Sequence, residues 1–428
     1  MKIEKWTLGL AALGLVGLSP ALLAQIPVPA ASFAPQQNPM LTALSATTIS
    51  GYVDTSAVWN PGTGNANPAP YAFNAGKQDG FNLNAVDVKI SKSQDETGWG
   101  AGYVAELSYG PDAQSIDALA YPIRQAYVAL HMPFGNGIDW QLGRFDNILG
   151  YESSDSYKDP NYTRSYGYSV EPTEHTGLLG SYKFSDAISL QLGVADTLTT
   201  APVYGVNARE GAAGGLLFSG GYGAESKKAY ISLLTLTAPD SWGFLKGSTL
   251  AAGYDFGPGT VSQDRRELYV GATLNTPVKD LTFGASYDSI EHLDVLAVSP
   301  HTGYGVVDTG YFAAYAGYAS YKMTDKLTLN GRFEYATGAG LGAMADIDNG
   351  FLLGTNPMNK VLALTGTVQY DLWANVIARL EVRWDHDASG AEAADKSSAA
   401  FGGPSASLGG LPDKMNEVMV AANVIYKF

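Results

Sequence analysis

The 428-residue sequence contains no cysteine, and beyond its first residues it contains no long hydrophobic run. Without cysteine the chain has neither a disulfide framework nor thiol chemistry. No apolar run after the amino-terminus reaches the roughly 18 residues that a membrane-spanning helix needs. The mean hydropathy is only -0.04. These absences argue against a helical membrane protein and against a disulfide-stabilised fold.

Basic residues and histidines are also scarce. The 26 Lys and Arg are outnumbered by 41 Asp and Glu, which gives a formal net charge of -15. Nucleic-acid binding needs basic patches, so we expect no nucleic-acid partner. The 5 histidines show no metal-binding spacing such as His-x-x-x-His, and no Gly-x-Ser-x-Gly motif occurs. We therefore predict no catalytic residues, no metal site, no cofactor and no enzymatic activity.

Glycine and tyrosine are abundant, with 50 Gly and 26 Tyr, a bias that suits strands, tight turns and interfacial aromatic residues. Alternation of apolar and polar residues predicts about sixteen strands, near 48–58, 80–93, 98–110, 121–132, 137–145, 175–184, 187–197, 226–237, 247–256, 265–274, 280–289, 310–323, 326–337, 359–371, 374–387 and 414–428. Short and long connections alternate along the chain. This arrangement predicts an all-β fold, a transmembrane antiparallel barrel with short periplasmic turns and long extracellular loops.

The carboxy-terminal strand, 417–428, shows the alternation clearly. One face is apolar at period two, and the other carries Glu417, Asn423 and Lys427 among smaller apolar residues. A chain that ends on an aromatic residue, Phe428, suits a strand that meets outer-membrane lipid and is received by the barrel-assembly machinery. The alternative is an edge strand of a soluble sandwich, because sequence alone does not tell which face looks inward.

Two predicted strands break the alternation. In 80–93 the apolar parity switches between Ala85 and Val86, and in 226–237 Leu233 and Leu234 are adjacent. A β-bulge would explain either irregularity, and so would a misassigned strand.

The amino-terminus has the features of a secretory signal. Lys2 and Lys5 precede an apolar segment, and Ala24 offers a small residue at the cleavage point, with Ala30 as a second candidate. We predict a signal peptide over 1–24, a flexible Pro/Ala-rich lead-in over 25–46 and an outer-membrane barrel over 47–428. The predicted location is the bacterial cell outer membrane.

The connection after the fifth strand, 145–174, is unusually long at roughly 30 residues, which favours either disorder or function. Its many tyrosines argue against disorder. The runs Gly143-Arg144-Phe145, Gly150-Tyr151-Glu152, Asn161-Tyr162-Thr163-Arg164-Ser165 and His175-Thr176-Gly177 resemble the OmpL-like (porin-2) family of β-barrel porins. The sixteen-strand pattern is similar to that of the classical trimeric porins.

This resemblance implies an outer-membrane porin, a water-filled channel for the passive diffusion of small polar solutes, with a homotrimer as its assembly. The third long loop, 145–174, would fold inward and narrow the channel. Opposed acidic and basic groups in such a constriction would order water and reject apolar solutes. The candidate constriction residues are Arg144, Asp146, Glu152, Asp155, Lys158, Asp159, Arg164, Glu171 and Glu174.

Strand parity identifies candidates for the pore wall. The charged face of two late strands carries Arg332, Glu334, Arg379, Glu381 and Arg383. Arg144 shares the parity of Trp140 and Leu142, so it reaches the lumen only if its strand has ended by Gly143. Arg124 shares the parity of Val128 and is expected at the rim.

Two alternatives keep the barrel and change its role. The first is a substrate-specific porin of the sugar type, which the tyrosine-rich loop permits. The second is a structural or adhesive barrel that transports nothing, its lumen plugged by its own loops. Lumen-facing tyrosines would favour the first, and absent conductance would favour the second.

Overall fold

The computed structural model describes residues 46–66, 68–74, 77, 79–116, 122–196, 228–258, 264–291, 294–299, 303–308, 310–338, 358–389, 400–402 and 414–428. The chain divides into two units, Met1–Ala46 and Thr47–Phe428, of which the second is the barrel. The predicted signal peptide, 1–24, lies outside the described residues. So does the predicted lead-in, apart from Ala46.

Strands β1 to β18 follow one another along the chain, and sixteen of them close into a single antiparallel barrel in which β1 pairs with both β2 and β18. Their bounds are β1 Thr48–Trp59, β2 Gly80–Lys92, β3 Gly100–Tyr109, β4 Ile123–Met132, β5 Ile138–Asp146, β6 Glu174–Ser185, β7 Ile188–Ala195, β8 Ala229–Thr237, β9 Thr249–Pro258, β10 Asp264–Asn275, β11 Leu281–Glu291, β12 Asp294–Ser299, β13 Gly303–Asp308, β14 Tyr311–Lys322, β15 Leu327–Gly338, β16 Lys360–Trp373, β17 Val376–Asp387 and β18 Asn416–Lys427. The predicted all-β barrel is confirmed.

Strands β12 and β13 form a separate two-stranded hairpin in the connection between β11 and β14, and the sequence did not predict them. In the part of the chain that the structure describes, helix is limited to α1, Pro111–Ile116, and to 3-10 turns at Ser156–Lys158 and Asp240–Leu245. Within the described ranges, no helix has the length and apolar character needed to cross a membrane.

The alternation along each strand decides which face looks inward. On β17, Leu380 and Val382 are 54% and 48% exposed, whereas Arg379, Glu381 and Arg383 are at most 3% exposed. A soluble sandwich would present its charged face to water, but here the apolar face is outermost. The barrel therefore has the inside-polar, outside-apolar arrangement of a protein that meets lipid.

The two ends of the barrel differ as the sequence predicts. Short turns join alternate strand pairs, and the other connections are mostly long. The pairing of β1 with β18 closes the barrel. It extends to the end of the chain, where the amide N–H groups of Gly51 and Phe428 each donate to the other residue's carbonyl oxygen, both at 3.0 Å.

The two irregular strands have different explanations. The β1–β2 register shifts so that Asp54 pairs with Ala85 and Thr55 with Leu83, which leaves Asn84 as the extra residue of a bulge. Strand β8 is regular instead. Leu233 is buried because it faces inward and packs with Leu149 of the connection after β5, while Leu234 faces outward.

The mouth of the barrel on one side contains a hydrophobic cluster. Residues after β1, in the β5–β6 connection and before β18 pack against the inner faces of β11, β14, β15 and β16. The cluster consists of Ala69, Tyr71, Tyr166, Val170, Ile290, Phe312, Ala314, Ala336, Met358, Val361, Ala363, Ala400 and Phe401. Its burial fixes the long loops to this side of the wall.

Candidate functional site

The connection between β5 and β6, residues 147–173, is the third long loop, and it contacts the inner wall of β15–β17. The backbone N–H groups of Tyr162 and Thr163 donate to the Glu381 carboxylate at 2.6 and 2.9 Å. The N–H of Tyr166 donates to Glu334 at 2.7 Å. Two wall carboxylates thus bind loop backbone donors that would otherwise be buried without partners.

Three wall arginines complete this attachment by donating to loop carbonyl oxygens. Arg332 Nη1 reaches Thr163 O at 2.7 Å, and Arg379 Nη2 reaches Asp159 O at 2.6 Å. Arg383 Nη1 reaches Arg164 O at 2.7 Å. We name these five residues the charged anchor: Arg332, Glu334, Arg379, Glu381 and Arg383.

The charged anchor contains all of the predicted pore-wall residues. They face inward as their parity predicts, but the third loop covers them and each is at most 3% exposed. Buried charges need partners, and the loop supplies them. The structure therefore places these residues on the wall beneath the loop, and their side chains contact the loop.

Two of the predicted constriction acids pair with arginines, one on the wall and one in the loop itself. Glu152 lies 2.7 Å from Arg332, and Asp159 lies 3.0 Å from Arg164. Burial raises the pKa of Asp159 to about 7, against the opposing effect of Arg164. Arg164 is itself buried and stacks over the rings of Phe73 and Tyr168.

A second group of predicted residues surrounds Arg124. Its guanidinium lies 2.7 Å from Asp146 and also binds Asp155, whose other oxygen is 2.6 Å from Lys158 Nζ. Burial alone would raise the pKa of Asp155, but Arg124 and Lys158 together lower it to about 2.

The rim position expected for Arg124 is wrong. The residue is 3% exposed and lies 2.7 Å from the inward-facing Glu106. The β3–β4 register shifts between Glu106 and Leu107, so Gln125 pairs with Glu106 and Ile123 with Leu107. The bulge leaves Arg124 as the extra residue and turns its side chain inward.

Arg144 stays in the register of its strand. It pairs with Thr176 while exposed Leu142 pairs with Leu178, so β5 does not end at Gly143. Arg144 Nη2 lies 3.2 Å from Glu174 Oε2 near the loop end of the wall. Glu174 is also the register partner of Asp146, which places this pair beside the group around Arg124.

The last predicted residue, Glu171, faces a wall of carboxylates that sequence reasoning missed. We name Asp255, Glu267 and Asp288, inward-facing on β9, β10 and β11, the acidic face; all three are at most 1% exposed. Burial raises the pKa of Glu171 well above its ordinary value, and repulsion by Asp288 and Glu267 adds to the effect. The sequence did contain a signal for this face, because each of the three carboxylates occupies an inward-facing position in the alternation of its strand, and the three strands are adjacent.

The acidic face is incompletely neutralised. Arg265 lies 3.7 Å from Glu267 and donates to the Val170 carbonyl oxygen of the loop. Both carboxylate oxygens of Glu267 and one each of Asp255 and Asp288 have no hydrogen-bond partner. No group of three or more His, Cys, Asp or Glu within the described ranges is arranged to hold a metal ion.

A cavity of ≈ 460 Å³ separates the third loop from the wall of β9, β10, β11 and β14. The loop side includes Tyr151, Lys158 and Asp159, and the wall side carries uncharged residues. Tyr151 and Tyr318 stack with ring centroids 4.3 Å apart at its edge. The volume lies within the range of small-molecule sites.

The model of one protein family matches residues 46–428, and its description is "Putative beta-barrel porin-2, OmpL-like". The chain belongs to this family. The match spans the whole barrel, so the porin-2 resemblance seen in the third loop extends to the complete closed fold. Family and fold together indicate a porin channel of the bacterial outer membrane rather than an enzyme.

Solved porins share the fold of this porin-2 member at low identity. The anion-selective porin from Comamonas acidovorans is 13% identical, with a TM-score of 0.54 over 89% of this chain and 99% of that chain. OmpF of Salmonella typhi, in complex with daunomycin, is 12% identical with a TM-score of 0.55 over 89% and 97%. The channel DcaP of Acinetobacter baumannii is 12% identical with a TM-score of 0.54 over 89% and 97%. No curated relative matches the chain.

Proposed function

We propose that this porin forms a water-filled channel for the passive diffusion of small polar solutes, and that its third loop narrows the channel. The observation that carries the proposal is the cavity of ≈ 460 Å³ between that loop and the wall of β9–β14. A polar lumen inside an apolar exterior is what a diffusion channel requires. Transport then proceeds by exclusion according to size and charge.

The attachment of the loop supports a permanent narrowing. The hydrogen bonds from Tyr162 and Thr163 to Glu381 join segments that are 219 and 218 residues apart in sequence, and both ends of each bond are buried. Charge-assisted bonds of this kind are among the strongest in proteins. Opening the passage by moving the loop would break these hydrogen bonds and those from the wall arginines together.

The partners we propose follow from the same function. Outer-membrane lipid would contact the apolar exterior, and the barrel-assembly machinery would receive the strand that ends at Phe428. A homotrimer is the assembly we expect, as for the classical porins that the sequence resembles. A signal peptide over 1–24 would direct export.

Planar lipid bilayer recording tests the proposal directly. Purified protein, refolded in detergent and shown to be folded by heat-dependent gel mobility, should give stepwise conductance increments. A protein that is folded and inserted but conducts no ions would overturn the channel proposal and favour a plugged structural barrel.

A further inference from the structure

Six residues with hydroxyl groups are among those that line one side of the cavity. Thr249 on β9, Tyr269 and Thr273 on β10, Thr282 on β11, and Tyr318 and Ser320 on β14 line it, and we name these six residues the hydroxyl wall. The wall side of the cavity contains no charged residue among its described lining. Thr273, Tyr318 and Ser320 already donate to Tyr151, Glu152 and Asn330. A hydroxyl oxygen that donates can still accept hydrogen bonds, which makes this side of the cavity suited to another hydroxyl-rich molecule.

Small residues make room for this surface. The hydroxyl of Tyr269 lies over Gly271, where a Cβ would come within 1.9 Å of it, and the hydroxyl of Tyr151 lies equally close over Gly284. Tyr151 also accepts a hydrogen bond from Thr273 at 3.2 Å. Larger side chains at the two glycines would displace the tyrosines and fill the cavity.

The charges on the loop side of the cavity are already neutralised. Lys158 Nζ lies 2.6 Å from Asp155, and Asp159 lies 3.0 Å from Arg164. The arginines of the charged anchor lie behind the loop, where its carbonyl oxygens bind them. Each of the two charged lining residues that the structure describes, Lys158 and Asp159, therefore has an opposite charge within 3.0 Å.

We propose that the hydroxyl wall binds neutral polyhydroxylated solutes of the size of a mono- or disaccharide. This inference rests on the proposed channel function and names its substrate class. A neutral solute loses less hydration energy on entering than an ion does, and its hydroxyl groups exchange hydrogen bonds with water for hydrogen bonds with the wall. The stacked Tyr151 and Tyr318 rings are turned toward each other, so we infer recognition through hydroxyl groups rather than ring stacking.

Sucrose block of single-channel current tests the inference. Conductance is first recorded without sugar, and sucrose is then added on one side at increasing concentration. Glycine betaine at equal solution viscosity, a zwitterion without net charge or hydroxyl groups, is the control for viscosity. We expect a saturable block by sucrose, and a smaller, non-saturating decrease with betaine.

Paired variants separate the wall from the rest of the barrel. The double variant Thr273→Val with Thr282→Val removes two wall hydroxyls while keeping the side-chain shape, and we expect the half-blocking sucrose concentration to rise roughly tenfold. Thr55→Val, on the exposed outer face of β1, should leave it unchanged.

The outcomes distinguish the two proposals. A channel that conducts but shows no saturable sucrose block would overturn this inference and leave the channel function standing. A double variant that conducts like the wild type and blocks at the same sucrose concentration would also overturn it. Absence of conductance before any sugar is added would overturn the channel function itself.

Discussion

The third loop contacts two sides of the lumen, and the two contacts differ in how they treat charge. At the charged anchor each guanidinium binds loop carbonyl oxygens or carboxylates, and each carboxylate accepts loop N–H groups. At the acidic face, both carboxylate oxygens of Glu267 and one each of Asp255 and Asp288 have no hydrogen-bond partner. The comparison teaches that burial of charge stabilises this loop only where opposite charges and backbone dipoles are supplied together.

Breaking the charged anchor should have the largest effect. Arg332→Met would leave Glu152, 2.7 Å from the guanidinium, buried without its cation, and would leave Glu334 with Arg383 alone, at 3.5 Å. Removal of one partner from a buried ion pair typically costs about 3 to 5 kcal/mol. We expect a lower free energy of unfolding in urea, faster tryptic cleavage in the loop and a larger single-channel conductance.

Arg266→Met is the matched control for this variant. Arg266 pairs with Glu291 at 3.1 Å, but their side chains are 52% and 57% exposed. Such exposed pairs contribute less than about 1 kcal/mol. Equal destabilisation by both substitutions would contradict the role of the anchor.

The acidic face should make stability depend on pH in the opposite sense to an ion pair. The folded-state pKa of Glu171 is raised, first by burial and then by Asp288 and Glu267. The folded state therefore binds this proton more tightly than the unfolded state does. Its contribution is fully present below the ordinary carboxylate pKa and is lost as pH rises through the folded-state value.

Glu171→Gln should remove this dependence, because the amide keeps the shape and carries no charge. We expect a higher midpoint of thermal unfolding than the wild type at pH 8 and little difference at pH 4. Glu291→Gln, at an exposed position of β11, serves as the control. A wild-type barrel that gains stability from pH 4 to pH 8 through Glu171 would refute this account.

The contrast between local and long-range information explains what the sequence could predict. Period-two alternation is local, and it predicted the sixteen barrel strands and the inward parity of Arg332 and Arg379. The covering of those arginines by the third loop was not predictable, since Arg379 and its acceptor Asp159 are 220 residues apart. The prediction that Arg124 lies at the rim was wrong for another reason. The bulge opposite Glu106 reverses the alternation on which that prediction depended.

Asp155→Asn should lower the free energy of unfolding less than Arg332→Met does, because Arg124, the main partner of Asp155, keeps other carboxylates. Arg124 also contacts Glu106 and Asp146 at 2.7 Å, so Asp155→Asn leaves no unpaired guanidinium. We expect a loss of about 1.5 to 3 kcal/mol, a typical value for one hydrogen bond to a charged group.

The pH dependence of this loss gives its signature. The pKa of Asp155 is lowered to about 2, so its contribution is present above the ordinary carboxylate pKa and disappears as pH falls through about 2. Urea titrations should therefore show a larger difference between the wild type and Asp155→Asn at pH 7 than at pH 3. An equal stability of the two proteins at pH 7 would contradict the pairing.

We expect the smallest effect from substitution of Lys158, a loop residue that lines the cavity. Its side chain is 53% exposed, and Asp155 retains Arg124 when the ammonium is removed. Lys158→Gln should shift the reversal potential under a salt gradient toward cation permeability. The permeability ratio should change less than about fivefold, because an exposed charge contributes below about 1 kcal/mol.

Lys279→Gln, in the turn between β10 and β11 and outside the cavity lining, should leave the reversal potential unchanged. A large shift with Lys158→Gln would mean that this ammonium faces an uncompensated field, and the neutral character inferred for the opening would then be wrong.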